Sequence, residues 1–129
     1  MIKLKSLIVE IHHDEIYLYH GTNVNAGYHI QKSGKMKLNS ADNNEPFLSF
    51  SEKLNVARYY KLMKGGEDRG IILRVKKTDD FKLSDKYKKN DGYEWVTTRE
   101  IPSKELEIFI TKYGWIQLTK WDFIDKRII

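Results

Sequence analysis

Apolar residues in this chain come in short bursts. The longest, such as Leu7-Ile8-Val9 and Ile71-Ile72-Leu73, are cut off by charge or glycine, far short of the roughly 18 consecutive apolar residues that mark a membrane span. A chain patterned this way must gather many brief segments to bury its hydrophobic side chains, which points to a soluble globular fold with no membrane contact. With 129 residues, 40% of them hydrophobic and 12% aromatic, it is long enough for one core and too aromatic for an intrinsically disordered segment. Residues 1–129 are therefore read as a single domain. The opening Met1 to Lys5, followed by an apolar stretch, hints at a signal peptide, but Glu10, His12 and His13 interrupt it and no small-residue cleavage site follows. The start is read as part of the fold.

Zero cysteines remove disulfides, thiolate metal ligands and a cysteine nucleophile together. The absence fits a reducing, cytoplasmic setting. Lys and Arg number 23 against 18 Asp and Glu, a formal charge of +5 that favours polyanions or anionic ligands through long-range attraction. The basic residues are scattered. Their one dense cluster, Lys86, Lys88 and Lys89, sits beside Asp85, Asp91 and two tyrosines and reads as a solvated loop.

Ile2 to Ile11 is a strand or a short helix, with Leu4, Leu7, Ile8 and Ile11 closer to helical spacing. Ile16 to Tyr19 is a β-prone run that stops at His20-Gly21-Thr22, a polar-glycine step suited to a ligand. Thr22 or Asn23 can cap a helix to about Ser33, which Gly34 ends. Lys35 to Glu45 is polar and reads as a surface loop before Pro46. Phe47 to Ser51 follows as a strand, and Ser51 can cap a helix Glu52 to Met63 whose buried face would hold Leu54, Ala57, and Leu62 with Tyr59 or Tyr60. Gly65-Gly66 closes it. Strands are expected at Gly70 to Val75, Phe81 to Leu83, Glu94 to Thr98 and Leu106 to Thr111, with Pro102 in the turn between the last two. In the tail, Trp115, Ile116, Leu118, Trp121 and Phe123 are expected to pack back on the sheet. Helices early and strands late make this an α+β domain.

The four histidines, His12, His13, His20 and His29, fall at no metal-ligand spacing, so no metal is expected. Lys64-Gly65-Gly66-Glu67 lacks the spacing of a phosphate-binding loop and reads as a plain turn. His20, Glu94 and the Ser49/Ser51 pair each begin or end an expected strand, where side chains can converge in a cleft. Singly, each has an ordinary structural reading: turn histidine, strand carboxylate, helix cap. Tyr87, Tyr93 and Trp95 among the lysines could stack nucleobases, although core packing explains them equally well.

In order, Leu18-Tyr19-His20-Gly21-Thr22, then Ser49-Phe50-Ser51 with Ala57-Arg58-Tyr59-Tyr60 downstream, then Glu94-Trp95-Val96 with Ile101-Pro102 resemble the ADP-ribosyltransferase superfamily. The likeness is nearest the diphtheria-toxin-like and poly-ADP-ribose-polymerase-like branch, and runs from about Tyr17 to Ile110. It implies two facing antiparallel sheets with a few helices around a cleft that clamps NAD as substrate. ADP-ribose would pass to an acceptor, protein or nucleic acid, and nicotinamide would leave. The implied NAD-binding residues are His20, Gly21, Thr22, Ser49, Ser51, Tyr59 and Tyr60. Gly21 would pair its backbone with the nicotinamide carboxamide, His20 would bind a ribose hydroxyl of the adenosine half, and one tyrosine, Tyr59 by its Ala-x-Tyr spacing, would stack on the nicotinamide ring.

By the same resemblance Glu94 is the catalytic residue, its carboxylate stabilising the oxocarbenium-like ribose as nicotinamide departs. Glu100, next to Ile101-Pro102, is the lesser competitor. The chain departs from the family at two points. Ser49-Phe50-Ser51 looks more like the Ser-x-Ser of the arginine-modifying branch, and Gly92 stands where arginine-modifying members carry Glu or Gln, which argues against arginine as acceptor. The same site could serve an NAD glycohydrolase or a transfer onto an RNA phosphate, and the scaffold could also be a non-catalytic module that binds nucleic acid or an NAD derivative.

Overall fold

The computed structural model describes residues 16–41, 43–84 and 94–129. The segment Ile2 to Ile11, His12, His13, the Lys86–Lys89 cluster, Tyr87, Gly92 and Tyr93 lie outside the described residues. What is described is an α+β arrangement built on antiparallel strands. No described helix is long and apolar enough to cross a membrane.

Strand β1 (Tyr17–Asn23) runs directly into helix α1 (Val24–Ser33). Asn23 is the cap: its backbone is extended and its Oδ1 accepts from the Ala26 amide at 2.9 Å, satisfying a first-turn donor. Gly34, at φ 84°, closes the helix with an N–H bond to the Ile30 carbonyl, a backbone region that glycine enters without strain. The helix buries Ala26, Gly27 and Ile30. Gln31 ties it to the tail by donating to the carbonyls of Leu118 and Trp121 at 2.8 and 2.5 Å.

The stretch read as a surface loop after Gly34 contains a short strand, β2 (Lys35–Met36), paired antiparallel with β7 (Ile101–Pro102). The reason is that Met36 and Ile101 are both core residues, a pairing across 65 positions that no local pattern announces. Glu100 belongs to this ribbon, accepting from Lys35 Nζ at 2.8 Å and from the Leu38 amide at 3.0 Å, and both contacts hold its carboxyl below the ordinary range. It clamps a loop and lies outside the cavity described below.

Strand β3 (Leu48–Ser51) leads into α2 (Leu54–Arg69). Lys53 is its cap residue and offers no side-chain bond; Ser51 Oγ instead accepts from the Lys53 amide at 3.0 Å, in the turn before the helix. The helical path breaks at Gly66, φ 70°, where the glycine pair was expected to end it, and one more turn continues to Arg69. The expected buried face is corrected more sharply. Only Ala57 is buried, while Leu62, Tyr59 and Tyr60 are 53%, 60% and 41% exposed. Backbone approach seats this helix in place of large apolar side chains: a Cβ on Gly21 would lie 1.9 Å from the Ala57 carbonyl oxygen, so α2 rests where β1 has no side chain.

The remaining strands are β4 (Gly70–Lys76), β5 (Lys82–Leu83), β6 (Glu94–Thr97), β8 (Leu106–Ile110), β9 (Gly114–Gln117), β10 (Trp121–Asp122) and β11 (Arg127–Ile128). Seven strands are hydrogen-bonded in the order β5-β6-β3-β1-β4-β8-β9, and β2/β7 and β10/β11 form two-stranded ribbons. The large sheet is continuous only through one position, Tyr19 opposite Ser51, where β1 meets β3; β1 and β4 pair over seven. Two half-sheets therefore diverge from that single link and leave a notch beside His20 and Gly21. One face is covered by the core of Leu18, Leu48, Phe50, Leu73, Ile101 and Ile108 with its neighbours. In the tail Leu118 and Trp121 are buried in this core and Ile116 and Phe123 pack against it, but Trp115 points to the opposite face.

Candidate functional site

A cavity of about 250 Å³ opens in the notch. Six of the residues singled out from the sequence line it: His20 and Gly21 from β1, Ser49 and Ser51 from β3, Tyr60 from α2 and Glu94 from β6. Four elements distant in sequence thus contribute to one wall. Two residues of the expected set stand elsewhere. Thr22 is buried and lines an adjoining cavity of about 240 Å³, which shares His20, Met36, Asn43 and Lys64 with the first. Tyr59, favoured on spacing for ring stacking, is exposed and does not line the cavity; Tyr60 does. Neighbouring helical residues point about 100° apart, and the seating of Ala57 against Gly21 sets which one faces inward.

His20 is held by its backbone surroundings. Its Nδ1 lies 2.7 Å from the Ser49 carbonyl oxygen, and since a carbonyl can only accept, Nδ1 carries the proton and Nε2 is left as an acceptor. The ring also rests 5.3 Å from that of Phe50, centroid to centroid. Burial and, next, the positive charge of Lys64 push its pKa down from 6.5 to about 4, while the bond to Ser49 opposes this. At neutral pH it is an uncharged imidazole able to accept from a hydroxyl.

Glu94 receives a hydrogen bond from Ser49 Oγ at 2.7 Å. That is its one side-chain partner among the described residues, which leave most of its acceptor capacity unused. Ser49 acts twice, presenting its carbonyl to His20 and its hydroxyl to Glu94, which links the two ends of the site through one residue. Ser51, already engaged with the Lys53 amide, supports the turn into α2 at the cavity wall.

Lys64 is the functional candidate that residue types alone did not reveal. It was weighed within Lys64-Gly65-Gly66-Glu67 and read as a turn, yet it lines both cavities, and desolvation lowers its pKa. The usable signal was helical spacing: Ala57, Tyr60 and Lys64 fall three and four residues apart, on one face of α2. Its ammonium stands 5.8 Å from the Tyr60 ring centroid. Among the described residues no group of three His, Cys, Asp or Glu is placed to hold a metal ion.

The cavity therefore offers an uncharged acceptor, a carboxylate with one partner among the described residues, an aromatic ring and an ammonium around a strand that has no side chain at Gly21. That set suits a ligand with sugar hydroxyls, a flat ring and a phosphate. No family model, curated protein or solved structure matches the chain.

Proposed function

We propose that the protein is an ADP-ribosyltransferase that uses NAD as substrate, moves its ADP-ribose to a protein or nucleic-acid acceptor and releases nicotinamide. The observation that carries this reading is the convergence of His20, Gly21, Ser49, Tyr60 and Glu94 on one cavity, because these are the positions the family resemblance marks. In this reading the fold is the family's NAD cleft, with the two half-sheets on either side of the notch.

Nicotinamide stacks on Tyr60 while its carboxamide pairs with the Gly21 backbone. His20 accepts from a ribose hydroxyl through Nε2, and Lys64 sits where the diphosphate passes between the two cavities. Glu94, steadied by Ser49, faces the nicotinamide-bearing ribose. As the glycosidic bond breaks, positive charge gathers on that sugar and the carboxylate, bonded to the 2′-hydroxyl, stabilises it. The acceptor nucleophile then attacks the same carbon and gives up its proton.

The test is nicotinamide release from labelled NAD by the wild type and by Glu94→Gln, with and without candidate acceptors. Release that falls by roughly a hundredfold or more in the variant, with the circular dichroism unchanged, supports the reading. Equal release by both proteins, or none by the wild type with protein and RNA acceptors present, refutes it.

A further inference from the structure

Strand alternation places Tyr17 and Tyr19 of β1, Arg74 of β4, Phe109 of β8 and Trp115 of β9 on the sheet face opposite the core. They form a fixed platform. Trp115 packs 5.8 Å from Tyr19 and 5.4 Å from Phe109, centroid to centroid. The Arg74 guanidinium lies between Tyr17 and Trp115, 3.8 and 4.3 Å from their rings, and donates to Glu107 at 2.8 Å.

Beside this platform a groove of about 440 Å³ runs between α2 and the β8–β9 hairpin, with Ile72, Phe109 and Trp115 on one side and Arg58, Lys61 and Leu62 on the other. Leu62 and Phe109 are 53% and 42% exposed. The helix thus divides its faces: Ala57, Tyr60 and Lys64 look into the notch, Arg58, Lys61 and Leu62 into the groove. Glu67 is the one acidic residue among the described residues that line the groove, and neither Arg58 nor Lys61 makes an ion pair with a described residue. The stem of Lys61 lies against Gly70, where a Cβ would come within 2.5 Å of its Cγ, so its ammonium rides on a supported chain. Lys76, at the end of β4, and Lys112, in the hairpin turn, are exposed.

An exposed ring, Phe109, and a half-buried one, Trp115, facing two cations that no described residue pairs fit a polymer that offers a flat ring and a negative charge at every unit. A duplex hides its ring faces, and an acidic peptide would leave the platform unused. We propose that this groove and platform bind single-stranded nucleic acid, with bases stacked on Phe109 and Trp115 and phosphates on Arg58 and Lys61. Arg58, Lys61, Phe109 and Trp115 do not line the notch, which the platform meets only at Tyr19, so the inference stands apart from the NAD reading and survives or fails separately.

The experiment is fluorescence anisotropy of a labelled oligothymidylate of about 12 nucleotides, titrated with the full-length protein at several salt concentrations. Wild type is expected to bind saturably. Arg58→Gln with Lys61→Gln, in which glutamine keeps the first methylenes of the Lys61 stem against Gly70 and unchanged circular dichroism checks the fold, is expected to weaken binding about tenfold or more and to flatten the slope of log affinity against log salt by about 1.4. Trp115→Leu is expected to weaken it about tenfold through lost stacking. Lys120→Gln with Lys126→Gln removes the same charge from the α1 side and is expected to stay within about twofold of wild type. Absence of saturable binding, equal weakening by both lysine-containing pairs, or competition by duplex or polyglutamate as strong as that by unlabelled single strand would overturn the proposal.

Discussion

Glu94 and Thr97 occupy the two ends of the same short strand and belong to polar clusters of opposite character. At the Thr97 end everything is matched. Asp80 accepts from Thr78, from Thr97 at 2.6 Å and from Arg99 Nε at 3.1 Å, and Arg99 reaches on to Glu105 at 3.2 Å. Burial pulls the Asp80 carboxyl upward, but those hydrogen bonds and the Arg99 charge outweigh it and hold it at about 2. At the Glu94 end, among the described residues, a single serine hydroxyl meets the carboxylate, which lines the cavity. A closed network of this kind locks a loop to a strand, whereas a carboxylate left mostly unengaged keeps its capacity for something that arrives from outside.

The largest expected contrast separates the two ends. Glu94→Gln should lower nicotinamide release by roughly a hundredfold with little change in melting temperature, while Thr97→Val should do the reverse, leaving release within about twofold and costing about 1–2 kcal/mol of stability by denaturant titration. If Thr97→Val abolished release, the division between a structural and a functional end would fail.

Gly21→Ala sharpens the contrast from the scaffold side. Its new Cβ would overlap the Ala57 carbonyl, 1.9 Å away, and α2 would have to lift off β1. A loss of about 3 kcal/mol is expected, with release falling too because Tyr60 and Lys64 move with the helix. An unchanged melting curve would show that α2 is seated by something else.

The pH dependence of stability also distinguishes the two ends. Native His20 stays neutral down to about 4, whereas an unfolded histidine takes up a proton near 6.5. Acid therefore favours the unfolded chain across that window, and stability falls as pH drops from 6.5 to 4, by about 2 kcal/mol given the ring's partial exposure. Asp80 acts lower, its contribution present above 3.8 and lost as pH falls through about 2. His20→Gln should flatten the upper window and leave the lower one, and Asp80→Asn the converse, in denaturant titrations run at each pH. The smallest expected effect is at the two tyrosines: Tyr60→Ala raises the KM for NAD about tenfold through lost stacking, and Tyr59→Ala leaves it unchanged.

What was legible in the sequence was what neighbours in the chain decide. Asn23 and Gly34 bracket α1 with their own side chain and backbone, so the cap residues named the helix. Glu94 does begin its strand as its position suggested, but β1 runs on through His20 to Asn23 and Ser49 lies inside β3, because pairing with β4 carries β1 past the polar-glycine step. Contacts made across the fold were not legible. The pairing of Met36 with Ile101 turned an apparent loop into a strand, the Gly21–Ala57 approach replaced the expected apolar face of α2, and through it Tyr60 and Lys64, in place of Tyr59, came to face the cavity.

The most direct measurement follows backbone amide shifts in isotope-labelled Glu94→Gln protein as NAD is added, since a variant that does not cleave NAD holds it intact. The expected result is saturable shifts clustered at Gly21, Ser49, Phe50 and Tyr60, with smaller ones near Thr22 and Lys64. No saturable shifts at millimolar NAD, or shifts confined to the β8–β9 face, would contradict the assignment of the notch to NAD.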